Sequence, residues 1–150
     1  TNVLLDILLD DPRHVKWSKA RLERARKEGD LIISEVVYAE LAAVFGDEAE
    51  LTRFLSDAGI VLRPSTPEVL ALAGEAWRRY VSRRGRAIRC PICGRGFFVK
   101  CPHCGAPVAW RQHILSDFLI GAHAQVLASR LPTRDRGYYR TYFPNLPLME

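Results

Sequence analysis

Short apolar runs and longer amphipathic stretches alternate along this chain. Val3 to Leu9 is apolar apart from Asp6 and is broken by Asp11-Pro12, which reads as a helix and, less well, as a strand. Arg13 to Glu28 predicts an exposed helix with a thin apolar stripe, ended by Gly29. Leu31-Ile32-Ile33 is short, apolar and rich in β-branched residues, which suits a buried strand. After Ser34, Val36 to Phe45 predicts a helix apolar nearly all round, stopped by Gly46. Asp47 and Glu50 form a capping-box variant that starts another helix, with Leu51, Phe54 and Leu55 facing inward. Ile60-Val61-Leu62 is a second strand. Thr66-Pro67 then supplies an N-cap and a proline at the first helical position. That helix is expected to run to Arg84, burying Leu70, Ala73, Trp77, Tyr80 and Val81. Ile114 to Ser129 is a further apolar helix, and Leu131 to Thr133 a third short strand despite Pro132. Tyr142-Phe143 leads into a terminal apolar piece.

Strands alternating with helices predict an α/β domain with a mainly parallel sheet between helical layers. No internal repeat or low-complexity linker interrupts it. The one break is at 85–112, where glycine, proline and cysteine cluster between two helices. Residues 1–84 and 113–150 therefore read as one domain, with 85–112 inserted into it. The 150 residues suit a single domain, and 48% hydrophobic content is enough for a core. No apolar run approaches the ~20 residues that would cross a membrane, and no signal peptide opens the chain. A soluble cytoplasmic protein is the expectation.

Charge changes the picture. The net charge is +5, yet Arg78 to Arg111 carries nine basic side chains and no acidic one, leaving 13 basic and 17 acidic elsewhere. That block contains Arg86, Arg89, Arg95 and Lys100 and points to a polyanion, most plausibly nucleic acid. A merely solvated helix end and loop would also fit the charge.

The same block holds all four cysteines, as Cys90-Pro91-Ile92-Cys93-Gly94 and Cys101-Pro102-His103-Cys104-Gly105. The C-x2-C spacing, twice over, predicts two knuckles whose four thiolates saturate one tetrahedral, structural Zn²⁺. A rubredoxin-like iron site uses similar knuckles, and His103 reads as a spacer. Each glycine is expected to free a tight turn that aims amides at the sulfurs. A ribbon this small would draw most of its folding free energy from the metal. Phe97, Phe98 and Val99 then form either its miniature core or a stacking platform for an RNA base.

Three carboxylates stand in unusual surroundings. Glu40 is the one charged residue from Val36 to Phe45. Asp117 is the one acid between Glu75 and Asp135, and Asp135 follows the third strand. A carboxylate in an apolar helix must be paired, neutral or metal-bound. The plainer readings are a partly exposed Glu40, a capping Asp117 or Ser116, and a turn-forming Asp135.

Taken in order, Thr1-Asn2-Val3-Leu4-Leu5, Glu40-Leu41, Asp117-Phe118-Leu119-Ile120-Gly121-Ala122-His123-Ala124 and Leu131-Pro132-Thr133-Arg134-Asp135 resemble the PIN-domain nucleases. The resemblance implies a three-layer α/β/α fold with acids gathered at the carboxyl ends of the parallel strands. It implies that Glu40, Asp117 and Asp135 bind Mg²⁺ or Mn²⁺ for RNA hydrolysis, that Thr133 positions Asp135 or a phosphate, and that Arg134 joins the basic residues in holding RNA. It also implies an aspartate directly before Thr1, ending a first strand of about five apolar residues. Asp6 is the weaker candidate for that fourth acid.

Size and short terminal segments resemble the VapC-type toxins, endoribonucleases that pair with an antitoxin protein and form homodimers. An RNA-maturation nuclease, or a non-catalytic RNA-binding module on a decayed scaffold, are the other readings.

Overall fold

The computed structural model describes residues 1–83, 87–90, 92–93, 95–108 and 114–149, with Arg89 and Arg136 described in the backbone alone. Local signals fix most element boundaries. Helix α1 spans Asn2–Leu8, and α2, Val15–Glu28, ends on Gly29 in an extended conformation rather than a left-handed cap. Strand β1 is Leu31–Ile33. Ser34 then caps α3 (Glu35–Ala42), its hydroxyl accepting from the Val37 amide at 3.3 Å. Asp47 caps α4 (Glu48–Ala58) by accepting from the Glu50 amide at 2.7 Å, and Gly59 closes it at φ 65°, where a side chain would be strained. Strand β2 is Ile60–Leu62. Helix α5 (Pro67–Arg83) starts under Thr66, whose hydroxyl accepts from the Val69 amide at 3.4 Å.

The 85–112 segment supplies β3 (Ile88–Arg89), β4 (Gly96–Phe97), β5 (Val99–Lys100) and β6 (Pro107–Val108). Helix α6 (Leu115–Leu127), β7 (Leu131–Pro132), α7 (Arg136–Tyr142) and β8 (Leu148–Met149) complete the chain.

Three expectations need correction. Helix α3 ends at Ala42 and does have a solvent face, since Glu35, Ala39 and Ala42 are exposed and Glu40 is half-buried. Small alanines make such a face cheap to expose, so an apolar run was not evidence of full burial. Helix α5 buries Val69, Ala73, Ala76 and Tyr80, while Leu70 and Val81 are exposed and Trp77 lies between. Positions 69, 73, 76 and 80 are also a helical stripe, and its two alanines bring α5 close along α6.

The third correction concerns the sheet. Strand β1 pairs parallel with β2 in the register Leu31↔Ile60, Ile32↔Val61, Ile33↔Leu62. Strand β7 pairs parallel with β8, Leu131↔Leu148 and Pro132↔Met149. Among the described residues no ladder joins the two pairs. Between them lies a cavity of ≈ 370 Å³, bordered by Leu31, Ile32 and Ile33 on one side and Leu131 and Pro132 on the other. It runs from Asp30 and Arg130, which precede the two strands, to Thr1 and Ser34 at their far ends.

Beside it, Phe118 is fully buried and touches Trp77, Tyr80, Tyr138 and Tyr142, with ring centroids 5.1 to 5.4 Å away. Gly121, one turn on, leaves space for the Phe143 ring, which any Cβ there would strike. No described helix is long and apolar enough to cross a membrane.

Candidate active site

Four separate segments meet at the carboxyl ends of β1 and β7. At the start of α1 the Thr1 hydroxyl donates to the Glu40 carboxylate on α3. Next to it the Asn2 side-chain amide donates to the Thr133 hydroxyl, 3.4 Å away. The buried Thr133 hydroxyl also accepts from the Asp135 backbone amide at 3.2 Å. That bond ties the turn after β7 to its acid. Asp135 caps α7 by accepting from the Tyr138 amide at 3.4 Å. Asp117, in the first turn of α6, accepts from the Ile114 amide at 3.0 Å. The plain structural roles for Asp117 and Asp135 are therefore real ones.

These acids nonetheless act on common points. Burial first, then Asp117, Asp135 and Glu40, push the Tyr139 hydroxyl above the ordinary phenol range. Tyr138 is raised as well, by burial and then by Asp117, Tyr139, Asp135 and Tyr142. One tyrosine thus feels all three predicted carboxylates.

They are not drawn into a closed cluster. Among the described residues no three His, Cys, Asp or Glu side chains stand close enough to hold a metal. Like charges facing one region repel, and each carboxylate is turned to a local donor: Thr1, the Ile114 amide or the Tyr138 amide. The oxygen-rich donor set still fits a hard divalent cation. So does the buried Asn2 Oδ1, which has no hydrogen-bond partner and could accept from a cation's water shell.

The family model for the PIN domain matches residues 1–92, more than half of the chain. The chain belongs to the PIN domain family. No curated protein and no solved structure matches it. PIN domains are in general metal-dependent nucleases acting on nucleic acid, and this chain has that nuclease-type α/β fold with small sheets. The match includes Thr1, Asn2 and Glu40 but stops before Asp117, Thr133 and Asp135, whose case rests on geometry.

Two further residues in this PIN domain stand differently from expectation. Asp6 is buried and its carboxylate is held by two side chains. It accepts from the Ser18 hydroxyl at 2.6 Å and pairs with Arg134 at 2.8 Å, tying α1 to α2 and to the turn after β7. Arg134, expected to hold RNA, is thus partly committed to an internal ion pair. Among the basic residues, Arg95 and Lys100 are exposed. Arg86 lies outside the described residues, as does the Arg89 side chain. The sequence reading also passed over His123, which is buried and has Nε2 2.8 Å from the Arg63 carbonyl, where the ring N–H donates. The loop before α5 is tied down further by Glu35, which accepts from the Ser65 amide and hydroxyl.

The cysteines form two separate pairs, Cys90 with Cys93 and Cys101 with Cys104. The Cys93 and Ile92 amides, then the Cys93 thiol, hydrogen-bond Cys90 and lower its pKa. Cys104 and His103 do the same for Cys101. Gly105, at φ 72°, makes the second turn, while Gly94 lies outside the described residues. Hairpins β3–β4 and β5–β6 are antiparallel, and their registers Ile88↔Phe97 and Val99↔Val108 differ by a shift of eleven residues. The Cys90 amide donates to the Arg95 carbonyl at 3.0 Å, and Cys101 to Ala106 at 2.8 Å. This is an internal repeat that the sequence reading did not register as one. The four sulfurs, expected around one ion, do not meet among the described residues. Each hairpin is held by its own ladder, and among the described residues no ladder joins the two.

Proposed function

We propose that this PIN domain is a metal-dependent endoribonuclease of the VapC toxin kind. The observation that carries the reading is the PIN-family match, together with the hydrogen bonds that tie Thr1 to Glu40 and both Asn2 and the Asp135 amide to Thr133. Glu40, Asp117 and Asp135 would hold Mg²⁺ or Mn²⁺, which supplies Lewis-acid stabilisation of phosphoryl charge and an activated water when bound. Thr133 fixes the backbone of Asp135, and Thr1 orients Glu40. Arg95 and Lys100, with Arg86 and Arg89, would draw RNA towards the domain. Antitoxin pairing, a homodimer and a cytoplasmic site of action belong to the same reading.

The rival is a non-catalytic RNA-binding module, favoured by the lack of a closed acidic cluster among the described residues. Cleavage of single-stranded RNA that requires Mn²⁺ supports the nuclease, and tight binding without cleavage supports the rival. A ribosomal RNA-maturation role would instead show as cleavage confined to precursor RNA.

The two cysteine knuckles read as halves of one structural Zn²⁺ site. Four thiolates suit the ion, and the amide bonds to Cys90 and Cys101 favour the thiolate form. Replacing Cys90 and Cys93 together with Ser should release one zinc per chain and unfold the hairpins while the α/β core still melts cooperatively. Elemental analysis and a thermal melt check this, and zinc absent from the unaltered chain would refute it.

A further inference from the structure

The two phenylalanines of the insert have different fates. Phe98 stands between β4, which pairs with β3, and β5, which pairs with β6. Phe97 lies opposite Ile88, and Val99 opposite Val108. These four are the apolar pairs that can pack the hairpins together, and Ile88 is already half-buried. Phe98 and Lys100 are both exposed. Phe98 is 78% exposed, against 47% for Phe97, 36% for Val99 and 38% for Val108. Closing the hairpins on each other through the apolar pairs would leave Phe98 in solvent.

We propose that Phe98 is a stacking platform for an unpaired RNA base, with Lys100 holding the phosphate of the same nucleotide. This rests on the reading that RNA is the substrate. An exposed ring offers a π-face that every base can use, and single-stranded RNA is recognised by such stacking. Lys100 is two residues from Phe98, so their Cα atoms stand no more than roughly 7 Å apart, within one nucleotide's reach. A nucleic acid is the fitting occupant because Arg78 to Arg111 carries nine basic side chains and no acid, with Arg95 and Lys100 both exposed. An acidic peptide would match the charge but has no need of the ring.

The test is equilibrium binding of the full chain to a short single-stranded RNA bearing a fluorescent adenine analogue, without Mg²⁺ or Mn²⁺, over a series of salt concentrations. Phe98→Ala should weaken binding about tenfold, relieve the quenching of the analogue and leave the salt slope unchanged. Its ring is exposed, so no core cavity is created. Phe98→Trp should bind as well as Phe, and Phe98→Leu as poorly as Ala. Lys100→Ala should flatten the salt slope by about 0.7, one single-strand phosphate's worth. Phe98→Ala binding at full affinity, or Phe98→Leu matching Phe, would overturn the stacking role while leaving RNA as the ligand. An unaltered chain that binds no RNA would overturn the parent reading, and this one with it.

Discussion

Glu40→Gln, Asp117→Asn and Asp135→Asn should each lower Mn²⁺-dependent RNA cleavage at least about a hundredfold, because loss of outer-shell partners alone costs 10–100-fold at metal sites. Each change removes a hard anionic ligand and keeps the shape of the side chain. Local structure should survive. The carboxamide oxygen that Asp135→Asn leaves can still cap α7, that of Asp117→Asn can still accept from the Ile114 amide, and that of Glu40→Gln can still accept from Thr1. Near-wild-type melting temperatures together with lost turnover would separate this from misfolding. Thr133→Val should act more weakly, since it loosens the Asp135 amide without touching a carboxylate. Full single-turnover activity in any double variant of the three acids would mean that they are not the site.

Phe118→Ala is expected to be the most damaging single change to stability, costing about 3–5 kcal/mol. Phe118 has no exposed surface and is ringed by Trp77, Tyr80, Tyr138 and Tyr142, drawn from α5 and α7. Removing it opens a cavity where three helices meet and forfeits several edge-to-face contacts. It also follows Asp117 directly, so the same helix turn anchors the core and presents an acid. Urea unfolding of the two chains measures the loss, and a cost below about 1 kcal/mol would show that the aromatic cluster collapses into the gap.

How much of this was legible depends on how local each signal is. The caps at Asp47 and Thr66 lie within three residues of the amides they serve, and α4 and α5 start where they were expected to. Glu40 stood out as a lone charge in an apolar helix. Sheet pairing is not local, so the separation into β1–β2 and β7–β8 had no sequence signature. Helix α7 was missed because Gly137 sits in its first turn and its charged residues mask the buried Tyr138 and Tyr139. Strand β8, directly after Pro147, offered no periodicity. The Asp6–Arg134 pair spans 128 positions and left no trace beyond a buried-looking acid in an apolar run.

The central claim is that Glu40, Asp117 and Asp135 make a metal-dependent nuclease site in this PIN domain. The most direct measurement is single-turnover cleavage of end-labelled single-stranded RNA by the full chain, with Mn²⁺ and with EDTA. The account predicts internal cleavage with Mn²⁺, none with EDTA, and none from Glu40→Gln/Asp117→Asn under either condition. Cleavage that persists in EDTA, or that survives the double substitution at the unaltered rate, would contradict it.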